Sequence, residues 1–520
     1  MRSTSSDHSP RTIAFTALFL FLTVLNSAAD AAAAHKDTGK RIDAILARPE
    51  VAHSFWGVEI AELDSGQVLY SHDADRLFAP ASDAKLFVTA AALALIGPDY
   101  RFHTTVETAA FPDKYGRVGG DLVLVGRGDP NISGRMLPYH LKTERLLPPA
   151  HVLEELADQV AGRGVKYIDG DVIADDSYYS NERYAVGWTE GDLTWEYGAP
   201  VSALALNDNV VYVSILPGQR VGDRAFLGLN PFADYFEIEN RLVTTPAGSG
   251  PRKLAIQRDP GSNHIAIWGT IPIDDEGVSE ALAIEAPAEF CARLFRDLLA
   301  KRDVVVYGHA RARHASAGSE PSALLPGGAS QPSTAPRVVL AEHNSLPFGM
   351  DVTVTNKVSQ NLHAEMMLRL LGREKGSGGS ITGGLDVLRG FLTTAGLQPQ
   401  EYALYDGCGL SRQDLVSPHA IVKLLRYAAR QSWGADYMNS LPIAGQDGTL
   451  ALRLTTLPVG TVIRAKSGAF EHVNSLSGYM TTPQGQKLVF SIIGNNHTLT
   501  GRQAIEIIDE IVREAEQLHN

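Results

Sequence analysis

Apolar residues in this chain first run together and then fall into period. Ile13 to Leu25 is an unbroken stretch of apolar residues and threonines, preceded by Arg2 and Arg11 and followed by an alanine-rich segment at 28–34. Charged start, short apolar run and small-residue exit predict a secretory signal peptide over residues 1–34. A transmembrane anchor is the alternative, but the run falls short of the ~20 residues that span a bilayer. Beyond it, Ile42, Ile45 and Leu46 recur at helical spacing, and Trp56–Leu63 and Gln67–His72 read as strands joined by Asp64-Ser65-Gly66. Ala84 to Ile96 is an almost wholly apolar helix stopped by Gly97-Pro98.

From Tyr100 to Ile284 the pattern changes to short β-like runs with frequent turn signals, among them Asp121–Val125, Asp171–Ala174, Val210–Ile215 and His264–Trp268. This stretch, 101–284, is expected to form one or two mainly-β domains set between 35–100 and 285–520. Glu289–Leu299 reads as a helix and Val304–Tyr307 as a strand, while 315–336, dense in Ala, Ser, Gly and Pro, reads as a flexible loop. Near the end, His472–Thr482 and Gln486–Asn495 flank Pro483-Gln484-Gly485 as a hairpin. The last helix carries Ala504, Ile508, Ile511, Val512, Ala515 and Leu518 on one face and acidic residues elsewhere, which favours packing on a sheet over a membrane surface.

Composition narrows the classes. The 520 residues suggest about three domains. A formal charge of −13 argues against nucleic acid as a ligand. Two cysteines, Cys291 and Cys408, exclude a disulfide scaffold. Export would allow them to pair, and two separate buried thiols are the other reading.

Three short motifs carry candidate chemistry, and each occurs once: Ser82-Asp83-Ala84-Lys85, Ser359-Gln360-Asn361 and Lys466-Ser467-Gly468. Residues three apart on a helix share a face, so Lys85 can reach the Ser82 hydroxyl. Burial favours the neutral amine, which can accept the serine proton and make a nucleophile without histidine. Taken alone, Ser82 also fits a helix N-cap. Lys466-Ser467-Gly468 is expected to end a strand, Thr461–Lys466, where a charge and a hydroxyl suit a substrate carboxylate and glycine permits close approach. Ser359 is expected at the start of a helix from Asn361, again a place for a cap. No His-Glu-x-x-His or Gly-x-Ser-x-Gly occurs, and His363-Ala364-Glu365 and the glycine-rich 376–384 are expected to be helix-surface and loop features.

The three motifs in this order resemble those of serine penicillin-recognising enzymes. The chain further resembles the D-alanyl-D-alanine carboxypeptidase/endopeptidase family of the DacB, or penicillin-binding protein 4, type. The segments carrying this are 80–86, Gly128-Asp129-Pro130, 197–204, 356–362, 406–412, Gly448-Thr449-Leu450 and 475–479. The 277 positions between Ser82 and Ser359 leave room for the inserted domains that this family has.

The resemblance implies an α/β (α+β) transpeptidase or β-lactamase-like domain, with a five-stranded antiparallel sheet flanked by helices. It implies Ser82 as the acylated residue, Lys85 as its base, Ser359 as proton relay, and Asn361 holding the substrate amide. Lys466 and Ser467 would orient the terminal carboxylate beside Gly468, and the Ser82 and Ala469 N–H groups would form the oxyanion hole. An acidic residue of the insert, expected to be Asp175, would bind the stem peptide's amine. Substrates would be peptidoglycan stem peptides and inhibitors β-lactams, with no metal or organic cofactor and with oligomeric state left open. Ser467 stands where threonine is commoner, Gln360 where aspartate is usual, and Cys408 where serine is usual. A β-lactamase or esterase on the same scaffold, and a non-catalytic peptidoglycan-binding or penicillin-sensing protein, are the competing classes.

Overall fold

A computed structural model describes residues 38–140, 145–315 and 337–518. The expected signal peptide and all but Ala315 of the expected loop at 315–336 lie outside the described residues. No helix among the described residues is long and apolar enough to cross a membrane.

Five antiparallel strands form the first sheet, in the order Val462–Phe470, Val473–Thr481, Lys487–Asn495, Phe55–Glu62, Val68–His72. Both chain ends therefore meet in one sheet. One face is covered by the helix at 38–46 and by Gly501–Ala515, whose Ala504, Ile507, Ile508, Ile511, Val512 and Ala515 are buried. The other carries the helices Lys85–Leu95, Phe348–Lys357, Asn361–Lys375, Ile381–Thr394 and Pro418–Ala429 around one apolar core. The first of these is buried on nearly every side, as its lack of polar periodicity requires.

The strand partners move the domain boundary expected at residue 285. Ala310–Arg313 and Val338–Asn344 close a second five-stranded sheet, in the order Ala310–Arg313, Val172–Asp175, Leu122–Val125, His103–Thr108, Val338–Asn344. This sheet is mixed, with Leu122–Val125 and Ala310–Arg313 both parallel to Val172–Asp175. The helices His151–Gly162 and Pro287–Ala300 share a core with it. The first inserted module is thus α/β rather than mainly β and runs through Asn344, because parallel strands need crossovers that only distant segments supply. Two three-stranded sheets, spanning Val210 to Ala283, make the β-rich remainder.

Candidate active site

Ser82 lies on a single 3-10 turn, Ala81–Ala84, that leads into Lys85–Leu95. The turn is held from both sides. Asn495 Oδ1 accepts from Ala79 N at 2.7 Å, Asn495 Nδ2 donates to Ala79 O at 3.1 Å, and Ser475 Oγ donates to Pro80 O at 2.8 Å. Ala81 takes a left-handed backbone, φ 48°, a conformation that persists in a non-glycine residue only where its surroundings enforce it. Ser82 is not a helix cap: the N-cap is Ala84, without a side-chain bond. Its hydroxyl is left for chemistry.

Lys85 is fully buried, and its Nζ has three oxygen neighbours: Ser82 Oγ at 2.9 Å, Asn361 Oδ1 at 2.6 Å and Cys408 O at 2.7 Å. Burial lowers its pKa, opposed by the electrostatic influence of Cys408, Asp406 and Glu365. A neutral amine has two hydrogens and one lone pair. Two of its neighbours are carbonyl oxygens that can only accept, so in the neutral form, with both hydrogens taken there, the lone pair would face the Ser82 hydroxyl.

The second and third motifs close on each other. Lys466 is also fully buried, with Nζ 2.9 Å from Ser359 Oγ and 2.6 Å from Ser467 O. Burial and the neighbouring Lys85 hold its pKa well below the ordinary lysine range. Ser467 Oγ donates to Thr449 Oγ1 at 2.8 Å, and Asn361 Nδ2 donates to Tyr197 O, from the inserted region, at 2.8 Å. Ser359 has φ 62°, and the cap of the following helix is Gln360, whose Oε1 accepts from Leu362 N at 2.9 Å. With the cap placed there, the Ser359 hydroxyl remains available to Lys466.

The Lys466-Ser467-Gly468 strand runs on to Phe470, so the motif lies inside it and not at its end. It is also the sheet's edge. Ala444 and Pro442 cover that edge at Ile463 and Ala465, and further along it Ala469 and Phe470 line the cleft. A Cβ on Gly468 would stand 2.3 Å from Ser475 Oγ, 2.7 Å from Pro80 O and 2.9 Å from Ser82 N. Glycine is what lets the strand touch the nucleophile's backbone, bringing the Ser82 and Ala469 regions together along one wall of the cleft.

Two cavities meet at Ser359, Asn361 and Tyr197. One, about 620 Å³, is lined by Ser82, Asp192, Leu410, Arg412, Ala469 and Phe470. The other, about 670 Å³, is lined by Tyr139, Arg145, Glu196, Tyr212, Gln360 and Thr449. Asp175 borders neither; it ends a strand of the second sheet, pairs with Arg313 at 3.1 Å and accepts from Ser177 Oγ at 2.6 Å. The insert carboxylate that does reach the first cavity is Asp192, beside Arg412 at 3.2 Å. Asp192, Arg412, Tyr197 and Thr449 were not picked out from the sequence as site residues, although Tyr197, Thr449 and Arg412 fall in the quoted family segments.

His363 and Glu365 are not helix-surface residues, since both are completely buried. Glu365, Asp406 and Cys408 approach one another as a metal site's donors would. Their lone pairs are already directed elsewhere: Glu365 Oε1 accepts from Gly407 N and Cys408 N, Oε2 from Arg369, and Asp406 from Gly409 N, Ser411 N and Trp188 Nε1. The group shapes the loop that presents the Cys408 carbonyl to Lys85. Cys291 and Cys408 are free thiols, buried in different cores.

An antiparallel five-stranded sheet with helices on both faces and three motifs along one cleft is a fold of the transpeptidase and β-lactamase-like class. The chain belongs to the D-Ala-D-Ala carboxypeptidase 3 (S13) family, which it matches over residues 38–518. It is 34% identical over 468 residues to a D-alanyl-D-alanine carboxypeptidase of Actinomadura sp. (strain R39), covering 88% of this chain and 80% of that one. It is 24% identical to the D-alanyl-D-alanine carboxypeptidase DacB of Haemophilus influenzae, covering 82% of each. The crystal structure of penicillin binding protein 4 (dacB) from H. influenzae superimposes with a TM-score of 0.75 at 21% identity, over 92% of this chain and 99% of that one.

Proposed function

We propose that this chain is an exported serine D-Ala-D-Ala carboxypeptidase that also cleaves cross-linked stem peptides, through an acyl-enzyme on Ser82. The carrying observation is the buried Lys85 amine, 2.9 Å from Ser82 Oγ with two carbonyl oxygens on its other side. Lys85 takes the hydroxyl proton as Ser82 Oγ attacks the carbonyl between the two D-alanines. The Ser82 and Ala469 N–H groups hold the developing oxyanion, a kind of contact that often contributes most to such rates. Asn361 orients the substrate amide, and Lys466 with Ser467 the terminal carboxylate. Ser359, against Lys466, passes a proton to the departing amine. Water then releases the acyl group.

The second activity is supported by space. The carboxylate-binding pair opens through Thr449 onto the cavity of about 670 Å³, far more than a departing alanine fills, and enough for the second strand of a cross-link. On the acyl side, Asp192 replaces Asp175 as the group for the stem peptide's amine. β-Lactams, whose carboxylate and amide present the same two groups, are expected to acylate Ser82; the related H. influenzae protein has been crystallised with a β-lactam. Export rests on the charged and apolar pattern of residues 1–34.

Mass spectrometry after incubation with benzylpenicillin tests this reading. One penicilloyl group on the Ser82 peptide, absent from Ser82→Ala, is expected. Unmodified protein with the drug intact overturns the catalytic reading, and unmodified protein with the drug consumed makes it a β-lactamase. Incubation with a pentapeptide and with a cross-linked dimer then separates the two peptidase activities.

A further inference from the structure

Asn207-Asp208-Asn209 opens the strand Val210–Leu216 of the inserted region, and all three residues are left-handed, with φ of 50°, 58° and 56°. Consecutive left-handed residues other than glycine are costly and persist where the surroundings fix them. Here they aim one carboxylate across the seam between the insert and the helix Asn361–Lys375. Asp208 is 1% exposed. Its Oδ2 accepts from Arg135 Nη2 at 2.9 Å, from Arg145 Nη2, and from Gln360 Nε2 at 2.6 Å, while its Oδ1 faces His363 Nε2 at 3.1 Å. His363 Nδ1 lies in turn 2.7 Å from Asp351 Oδ1. Burial would raise the carboxyl's pKa, but Arg135, Arg145 and His363 hold it well below the ordinary range, so a fixed negative charge sits under the second motif.

Gln360 is the motif side chain that bonds this carboxylate directly, while His363 holds it from the helix that follows. Its Oε1 caps the helix at Leu362 N and its Nε2 is spent on Asp208, so the side chain is held at both ends. Its neighbours in sequence are Ser359, against Lys466, and Asn361, against Lys85. The aspartate usual at this position has no N–H to offer, whereas the amide here matches a carboxylate at 208.

We propose that Asp208 is a positioning residue, fixing through Gln360 the backbone that carries Ser359 and Asn361, so that the inserted region sets the rate of acylation. This rests on the reading of Ser359 and Asn361 as acting groups given above. A side chain that only tied two domains together would alter stability and leave the chemical step alone.

The test compares the unmodified protein with Gln360→Glu, Gln360→Ala and the reversed pair Asp208→Asn with Gln360→Glu. Readouts are kcat and KM for D-alanine release, the acylation rate with benzylpenicillin, and Tm. Gln360→Glu keeps an acceptor for Leu362 N but sets a carboxylate against Asp208. It is expected to lower kcat and acylation about ten- to hundred-fold with KM little changed, the cost of a misplaced group. The reversed pair restores a donor at 208 and an acceptor at 360, but the new amide group also faces Arg135 and Arg145, so it is expected to regain part of that loss. Unchanged acylation in Gln360→Glu, or losses that follow Tm without recovery in the reversed pair, overturns the proposal. Should the reversed pair fail to fold, Gln360→Ala decides: slowed acylation with Tm retained supports it, and unchanged acylation overturns it. If the unmodified protein is not acylated at Ser82, the functional reading itself falls; acylation untouched by the Gln360 changes removes only this inference.

Discussion

Lys85 Nζ stands 2.9 Å from Ser82 Oγ, one helical turn away, and a residue from each of two distant segments completes its shell. The pair could be drawn from the four-residue motif, but its further partners could not. Asn361 Oδ1 and the Cys408 carbonyl each accept from the amine, and in the neutral form proposed above its lone pair is left for the serine. Lys466, on the edge strand Val462–Phe470, makes a second lysine–serine contact, with Ser359 at 2.9 Å.

Lys85→Arg retains donors for Asn361 and Cys408 but keeps its proton at every working pH. Acylation by benzylpenicillin is expected to fall by roughly 10²–10⁴-fold, the usual worth of a positioned base. Stopped-flow acylation alongside a circular-dichroism melt checks it, since the loss is expected in protein that remains folded.

Acylation is expected to persist at pH below 10.5, the ordinary lysine value, because burial lowers the pKa of Lys85. As pH falls through that lowered value the amine gains a proton and the rate is lost. Stability follows with a defined sign: between the lowered value and 10.5 the unfolded chain binds the extra proton, so the Lys85 contribution rises with pH across that window. Lys85→Met is expected to flatten that part of the dependence of urea-unfolding free energy on pH.

Gly468→Ala places a methyl group 2.7 Å from Pro80 O and 2.9 Å from Ser82 N. Neither backbone atom can move without shifting the nucleophile's turn. Loss of about 1–3 kcal/mol in stability and about 10²-fold in acylation is expected, read by urea unfolding and penicillin kinetics. An active, equally stable variant would show that the turn and the strand are not in tight contact.

Cys408→Ser is expected to keep nearly full activity, because Lys85 uses the backbone carbonyl at this position and not the side chain. The thiol is buried and, chiefly through burial, its pKa is raised well above the ordinary value, so the reactive thiolate is suppressed. Iodoacetamide is therefore expected to leave Cys408 unmodified in the native protein and to modify it in urea, as peptide mass spectrometry would record.

Asp192→Asn is expected to raise KM for stem peptides bearing a free side-chain amine, about ten-fold or more, while sparing the N-acetylated analogues. Asp175→Asn, outside both cavities and paired with Arg313, is expected to show no such selectivity. Equal effects of Asp192→Asn on both substrates would remove Asp192 from amine recognition.

Local pattern was enough for several elements. Turn residues between two extended runs marked the hairpins that became Phe55–Glu62 with Val68–His72 and Val473–Thr481 with Lys487–Asn495, and one apolar stripe marked the C-terminal helix. Partner choice was not local. Val172–Asp175 takes Ala310–Arg313 as a parallel neighbour 138 positions away, and that partner, Ala-Arg-Ala-Arg and only partly buried, carries no large apolar side chain to signal a strand. Asp175 and Asp192 look alike as acidic residues of the insert; which one faces the cleft depends on where the insert docks. His363 and Glu365 read as surface residues because charge predicts exposure, until Asp208, Asp351 and Arg369 supply buried partners.

The order and type of the motif side chains were determined by the sequence alone: Ser82 with Lys85, Ser359 with Asn361, Lys466 with Ser467, each pair fixed by spacing along a helix, turn or strand. Tertiary structure decided how deeply each of these groups is buried and what it touches. Lys85 owes its burial and its two carbonyl partners to residues 276 and 323 positions away, and the cleft takes Tyr197, Asp192 and Arg145 from the insert. Protonation depends on loss of water and on the acceptors nearby, and both are properties of packing, which no local pattern of residues encodes.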